Sequence, residues 1–354
     1  MRKVIDTEDK MDGHSHSKQA RIEYLDIFRS LGIILMIMGH VYFGGFFSKW
    51  IHAFHMPMFF FVSGWFYKSN DLTVGKSILR KAKSLLIPYL CFEIIVFVLS
   101  LPLIPEYLNV QTLYYILFDN TYIIPVAVCN NSVFPIPGAM WFLTALFFSE
   151  VIYIVLDRAF GYNWKSHIAV IIIAIFGMIA PKILPFRLPW ALDAAFVGIG
   201  FFHIARAIKG TKAERILHIK LWQALLTGVF FSALIMVCPR INMRTGNYGV
   251  YLPFWINALG AIIAGWNIAR YVEGLLVRGK IGKTVATWLK GIGKNSIVYL
   301  CLNQIVILIV MYVFEMAGIN GFNAKVPILI ITMSILFIIE KLICNTKLKV
   351  IIGK

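Results

Sequence analysis

The chain has 354 residues, of which 59% are hydrophobic and only 14% are charged, and its formal net charge is +17. A soluble domain carries about 25% charged residues, so this composition excludes an ordinary soluble protein. The apolar residues are grouped in long blocks, near the roughly 20 residues that cross a bilayer as one helix. We therefore interpret the chain as an integral membrane protein.

The predicted elements are ten membrane-spanning helices. In chain order they cover about 24–43, 51–67, 84–104, 140–156, 167–181, 189–205, 221–238, 250–269, 296–318 and 326–343. The predicted fold is an all-α, polytopic helix bundle of about ten transmembrane helices within residues 21–345. A polar N-terminal segment (1–20) and a C-terminal tail (346–354) flank this membrane domain, and both are expected in the cytoplasm.

The distribution of basic residues sets the expected orientation. With the N-terminus in the cytoplasm, the cytoplasmic segments hold 27 Lys and Arg residues and the outer loops hold six. Cytoplasmic loops of membrane proteins carry such an excess of positive charge. This split also explains the net charge of the chain without nucleic acid, and it favours a multi-pass protein of the plasma membrane.

The first predicted span contains two ionisable residues, Arg29 and His40, which are 11 residues apart. Eleven residues make about three helical turns, so the two side chains share one face and lie roughly 16 Å apart along the axis. Ionisable groups are costly in a membrane and usually functional. His40, toward the outer end, is a candidate general base, or it bonds a helix carbonyl or reaches the interface. Arg29 either forms a structural ion pair with Asp26, Glu93 or Glu150, or captures a phosphate or pyrophosphate from the cytoplasm.

The second predicted span opens with His52 and His55, which are neighbours if this part is helical. We expect them on the outer side, close to His40, as candidate substrate-binding residues. No Asp, Glu or Cys stands beside them, so zinc is not expected, and neither is any other metal. Further along, Ser63-Gly64 would let another backbone approach closely.

The remaining candidate residues lie at the ends of later spans. Arg80 and Lys83 precede the third span, where they are either membrane anchors or phosphate-binding groups at the mouth of a cavity. Trp141, Glu150 and Asp193 are candidates for an acceptor site, and a structural role is the alternative for each carboxylate. The long outer loop 105–139 contains no Lys or Arg, and its aromatic residues suit contact with sugar rings or a plug over the bundle.

Five motifs in order resemble the acyltransferase 3 family of membrane O-acyltransferases, closest to its fucose O-acetylase-like branch. They are Arg21 with Leu25-Asp26, Arg29 and His40; Phe59-Phe60-Phe61-Val62-Ser63-Gly64; Arg80-Lys81-Ala82-Lys83; Trp141-Phe142-Leu143; and Ile292-Gly293-Lys294-Asn295-Ser296. Two positions depart from the pattern. Lys83 replaces the second arginine of an Arg-x-x-Arg motif, and Asn303-Gln304 stands where many relatives have a histidine.

The resemblance implies transfer of an acyl group, most often acetyl, from cytoplasmic acyl-CoA to a hydroxyl outside the cell. Arg29, Arg80 and Lys83 would hold the phosphates of acetyl-CoA, and His40 would take the proton from the acceptor. The acceptor would be a cell-surface glycan or its lipid-linked precursor, reached among membrane lipids, and a partner in a polysaccharide assembly or modification complex would complete any second step.

Two other functions fit the same pattern. A transporter or exporter of a polar substrate or polysaccharide would place Arg29 and His40 along its pathway. A non-catalytic scaffold would leave both residues without a role.

Overall fold

The structure, a computed structural model, describes residues 22–69, 72–102, 114, 124–128, 132–136, 139–319 and 323–354. The predicted N-terminal segment 1–20 lies outside the described residues, as does most of the loop 105–139.

Helices dominate the described part of the chain, as predicted. They are α1 (Glu23–His40), α2 (Gly45–His52), α3 (His55–Phe66), α4 (Val74–Ser100), α5 (Trp141–Phe160), α6 (Trp164–Ile183), α7 (Leu192–Ile208), α8 (Leu221–Val237), α9 (Tyr251–Leu276), α10 (Lys280–Lys294), α11 (Ser296–Met316) and α12 (Lys325–Asn345). Short 3-10 helices cover Pro189–Ala191, Lys212–His218 and Lys347–Ile352. The segment between α4 and the next long helix adds an antiparallel hairpin, β1 (Ile124–Val128) and β2 (Ser132–Ile136), which the all-α prediction did not include.

Six described helices are long and apolar enough to cross a membrane: α4, α6, α7 with its preceding turn, α9, α11 and α12. A seventh is added if α8 and the turn before it, bent by 89°, form one broken span. Among the other predicted spans, α3 has only 12 residues, and α1 and α5 each contain three Asp, Glu, Lys or Arg residues. The count of about ten spans and the cytoplasmic side of both termini stay predictions.

The bundle is built around α1, α3 and α7. Helix α3 is almost entirely buried and packs along α7, while α1 lies against α9, α10 and α11. The α3–α7 crossing is very close, because a Cβ at Gly64 would overlap the carbonyl oxygen of Phe202. The predicted close approach at Ser63-Gly64 is thus confirmed for Gly64, where the absence of a side chain permits the contact.

Helix α10 replaces most of a segment that was predicted as a cytoplasmic loop, 270–294. Its buried residues Ala286, Leu289 and Ile292 recur every three positions and form one apolar face, which packs on α1. Lys290 joins the helices through Glu23 (2.5 Å) and Glu273 (3.1 Å). Partial burial opposes the charge of Lys290, but these hydrogen bonds outweigh it and raise its pKa.

Two further segments differ from the predicted loops. Helix α4 begins at Val74, ten residues before the predicted span, and Thr73 caps it by accepting from the backbone N–H of Lys76. The predicted tail 346–354 contains the 3-10 helix Lys347–Ile352, which packs against α4 and α12 and buries Ile352. Both segments therefore belong to the folded bundle.

Candidate active site

His40 ends α1 and forms a hydrogen bond with Asn303, in the middle of α11. The distance from His40 Nδ1 to Asn303 Oδ1 is 2.5 Å. The amide nitrogen of Asn303 donates to the carbonyl oxygens of Leu300 (2.7 Å) and Tyr299 (3.0 Å). Because only an N–H group can satisfy two carbonyls, the amide oxygen must face His40 and accept from it.

This bond fixes which nitrogen of His40 can act as a base. If Nδ1 donates its proton to Asn303, the neutral ring carries its lone pair on Nε2. Asn303 is fully buried, so it holds this orientation within the packed bundle, while the His40 side chain is partly exposed. The pair has the arrangement in which an orienting group sets the tautomer of a histidine base.

His52 and His55 lie on different helices, which corrects the prediction that they open one span. The chain breaks at Ala53 and Phe54, so His52 ends α2 and His55 begins α3. Their rings are nevertheless in contact, with centroids 5.3 Å apart. The two rings are also close enough to His40 for electrostatic interaction, His52 with His40 and His40 with His55. The predicted clustering of the three histidines at one end of the bundle is therefore observed.

The two histidines are held by backbone carbonyls. His52 Nδ1 donates to Ser48 O and His55 Nδ1 donates to Ile51 O, each at 2.6 Å. This is the bonding that was considered as the structural alternative for His40, which instead bonds a side chain. Within the described part of the chain, no group of three His, Cys, Asp or Glu residues could hold a metal ion.

Arg29 lies on the same unbroken helix as His40, in its first half, whereas His40 is its last residue. Its guanidinium is 3.7 Å from Asp26 and stands 5.0 Å from the ring centre of Phe66, which ends α3. Between Arg29 and His40, the same face of α1 is filled by the buried side chains of Ile33 and Met36. Asp26 is therefore one partner of Arg29, as the structural alternative proposed, while the Arg29 side chain keeps 27% exposure.

A second cation near Arg29 was missed by the sequence analysis. Lys209 follows α7, donates to the carbonyl oxygen of Trp65 (2.5 Å) and lies 5.4 Å from the Trp65 ring centre. Trp65 directly precedes Phe66, so both cations surround the same end of α3. Lys209 appeared in the sequence only as one of many cytoplasmic lysines, with no spacing to connect it to Arg29.

The basic residues of α4 face different directions. Arg80 and Lys83 are exposed, whereas Lys81 turns inward and pairs with Glu150 of α5 at 2.9 Å. The two residues of α4 that were predicted to bind phosphate, Arg80 and Lys83, thus lie on the surface, and their neighbour Lys81 joins α4 to α5.

The three predicted acceptor-site residues of α5 and α7 lie in different surroundings. Trp141 is buried beside Phe142 at the start of α5. Glu150 pairs with Lys81, and Asp193 is buried with Arg187 at 2.7 Å. Both carboxylates therefore take part in ion pairs that hold helices and loops together, and the described contacts do not join them to His40.

A polar network absent from the sequence analysis braces α3, α5 and α7 at the end where α7 terminates. Asp157 accepts from Tyr67 (2.9 Å) and from Arg206 (2.6 Å), and the Arg206 guanidinium stacks on three tyrosine rings. Tyr153 and His203 extend this network. Asp157 and Arg206 lie 49 positions apart, so no local pattern connects them.

The fold and the site together define a class: a helical membrane protein with an oriented histidine inside its bundle. Comparison with known families gives the particular one. The acyltransferase domain model matches residues 22–340, so the chain belongs to the acyltransferase 3 family. It is thus a membrane acyltransferase. Comparison with curated proteins finds no match.

Proposed function

We propose that the protein is a plasma-membrane O-acetyltransferase that moves an acetyl group from cytoplasmic acetyl-CoA to a hydroxyl of an extracytoplasmic glycan. The observation that carries this proposal is the His40–Asn303 hydrogen bond, which prepares Nε2 of His40 to accept a proton. The family supports acyl transfer. The resemblance of the motifs to the fucose O-acetylase-like branch supports acetyl and a sugar acceptor.

The proposed reaction needs one proton acceptor. His40 Nε2 takes the proton of the acceptor hydroxyl as its oxygen attacks the thioester carbonyl carbon. The new C–O ester bond forms, the C–S bond breaks, and the CoA thiolate leaves and receives a proton. The products are the acetylated hydroxyl and free CoA, so atoms and charges balance without a metal or a redox partner.

The donor would be held through its phosphates by cations at the Arg29 end of α1. Arg29 and Lys209 border the same end of α3, and the exposed side chains of Arg80 and Lys83 lie on the first turns of α4. Charge-assisted bonds from guanidinium groups to phosphate are strong and directional, whereas a lysine contributes a point charge. Lys83 would therefore attract the donor without the paired bonds of an arginine.

The acceptor would approach from the His40 end of α1. His52 and His55 are grouped with His40 there, and we propose that the unbonded ring nitrogens of this group face acceptor hydroxyls. Trp141 is proposed as an aromatic surface for a sugar ring, with support from its place in a family motif.

Replacing His40 by Ala tests the function. Acetylation of surface glycans, measured by mass spectrometry in cells that carry either protein, should fall by about 10²- to 10⁴-fold, the usual contribution of a general base. His218→Ala, an exposed histidine bonded to Arg270, is the matched control and should retain activity. Full glycan acetylation by a His40→Ala protein present at normal levels would reject the proposal. Wild-type protein that moves glycan without acetylating it would favour the transporter.

A further inference from the structure

Glu93 is a buried carboxyl group in the middle of α4 that the proposed reaction does not use. Its side chain is only 3% exposed, and neither carboxyl oxygen has a hydrogen-bond partner among the described residues. Burying such a group without donors is costly. The cost is removed if a ligand supplies the missing donors.

Glu93 lies next to the helix that holds the partner of His40. It acts electrostatically on the buried thiol of Cys301 in α11, and α4 packs against α11. Gln304 is three residues beyond Cys301, so the two side chains are neighbours on one face of α11. The carbonyl oxygen Oε1 of Gln304 is also buried without a partner among the described residues. Asn303, which orients His40, directly precedes Gln304.

Arg244, from the outer loop between α8 and α9, decides which ligand suits these oxygens. It is buried, and its charge acts on both Glu93 and His40. A cation beside Glu93 would be repelled by this guanidinium. A neutral molecule with several O–H donors meets no such repulsion and can satisfy the oxygens of Glu93 and Gln304 together.

We propose that Glu93 and Gln304 bind hydroxyl groups of the sugar acceptor and so position another hydroxyl of the same sugar at His40. This inference rests on the proposed acetyltransferase function and assigns the residues that select its acceptor. A polyhydroxylated ring offers adjacent O–H groups, so two can be held while a third reacts. Acceptors that lack a neighbouring hydroxyl should bind less well.

The experiment measures acetyl transfer by purified, reconstituted protein from radiolabelled acetyl-CoA to a panel of methyl glycosides of common hexoses and deoxyhexoses. Glu93→Gln keeps the shape of the side chain but replaces one acceptor oxygen with a donor. The acceptor KM should rise about threefold or more, since the net contribution of one hydrogen bond is modest and the new NH2 group faces a donor on the sugar. The KM for acetyl-CoA should stay unchanged. Gln304→Leu should raise the acceptor KM about threefold, and it decides the question if Glu93→Gln does not fold.

Glu340→Gln is the matched control. Glu340 is an equally buried glutamate, on α12, whose carboxylate accepts from Asn295, and its replacement should not change the acceptor KM. An unchanged acceptor KM in Glu93→Gln, or an equal rise in both substrates' KM values, would overturn the inference. The inference would also be overturned if the wild-type protein released CoA in a reaction that needs His40 but acetylated none of the sugars. That result would still be consistent with acyl transfer to another acceptor. Sugar acetylation that survives His40→Ala would instead contradict the proposed function.

Discussion

The hydrogen bond between His40 and Asn303 makes a quantitative prediction about the Asn303→Ala protein. This change removes the amide oxygen that accepts from His40 Nδ1 at 2.5 Å. It creates no unpaired backbone, because the carbonyls of Tyr299 and Leu300 lie within a helix and keep their helical partners. The imidazole is then free to take either tautomer and to rotate.

The size of the effect follows from the lost bond. A neutral hydrogen bond contributes about 0.5–1.5 kcal/mol, and 1.36 kcal/mol corresponds to about tenfold in rate. The bond alone therefore accounts for a loss of roughly 2- to 13-fold in kcat. Loss of the correct tautomer adds to this, so we expect a fall of about 10- to 100-fold. The loss must stay below that of His40→Ala, because Asn303 acts only through His40.

The assay is acetyl transfer under saturating donor and acceptor, with both single variants and the double variant. In the His40→Ala background, Asn303→Ala should cause no further loss, since residues that act as one unit are not additive. The role of Asn303 in orienting the base would be refuted if the activity loss of the double variant equalled the product of the two single losses. Full activity of Asn303→Ala would refute it as well.

The other predictions concern the donor site and the packing of the bundle. Arg29→Ala should weaken binding of acetyl-CoA to the purified protein by about tenfold, the value of one charge-assisted bond, whereas the exposed Arg215→Ala should not. Unchanged affinity would remove Arg29 from the donor site. Gly64→Ala should lower the free energy of unfolding by about 1–3 kcal/mol in a denaturation experiment, because its Cβ would overlap Phe202. Gly228→Ala, with 3.6 Å to its nearest neighbour, should be close to neutral, and equal stabilities would contradict the packing argument.

The helical bundle could be predicted because its signal is local. Runs of apolar residues near the length of a bilayer mark helices wherever they occur, and α6, α9, α11 and α12 match their predicted segments within a few residues, except that α9 runs on to Leu276. Helices whose residues are partly apolar and partly charged were harder to predict from the sequence. Helix α10 carries four lysines, so it is not an apolar block; its apolar residues do recur at helical spacing, but only the structure shows that they pack on α1.

The candidate site was predicted only in part, since helical spacing reports which residues share a face and not what that face meets. The spacing connected Arg29 with His40 on α1, and both do lie on one helix. For the basic cluster of α4 the spacing was insufficient. Contact with α5 decides that Lys81 points inward to Glu150 while Arg80 and Lys83 remain on the surface.

By itself, the sequence determined the class of the protein, its helical segments and the two costly residues inside α1, because hydrophobicity and helical period act over a few turns. The tertiary structure alone decided the chemistry available to His40. Asn303 lies 263 positions away in an apolar segment, and no local pattern connects the two residues. Packing of α1 beside α11 brings them together, and the two carbonyls that hold the Asn303 amide leave only its oxygen for His40.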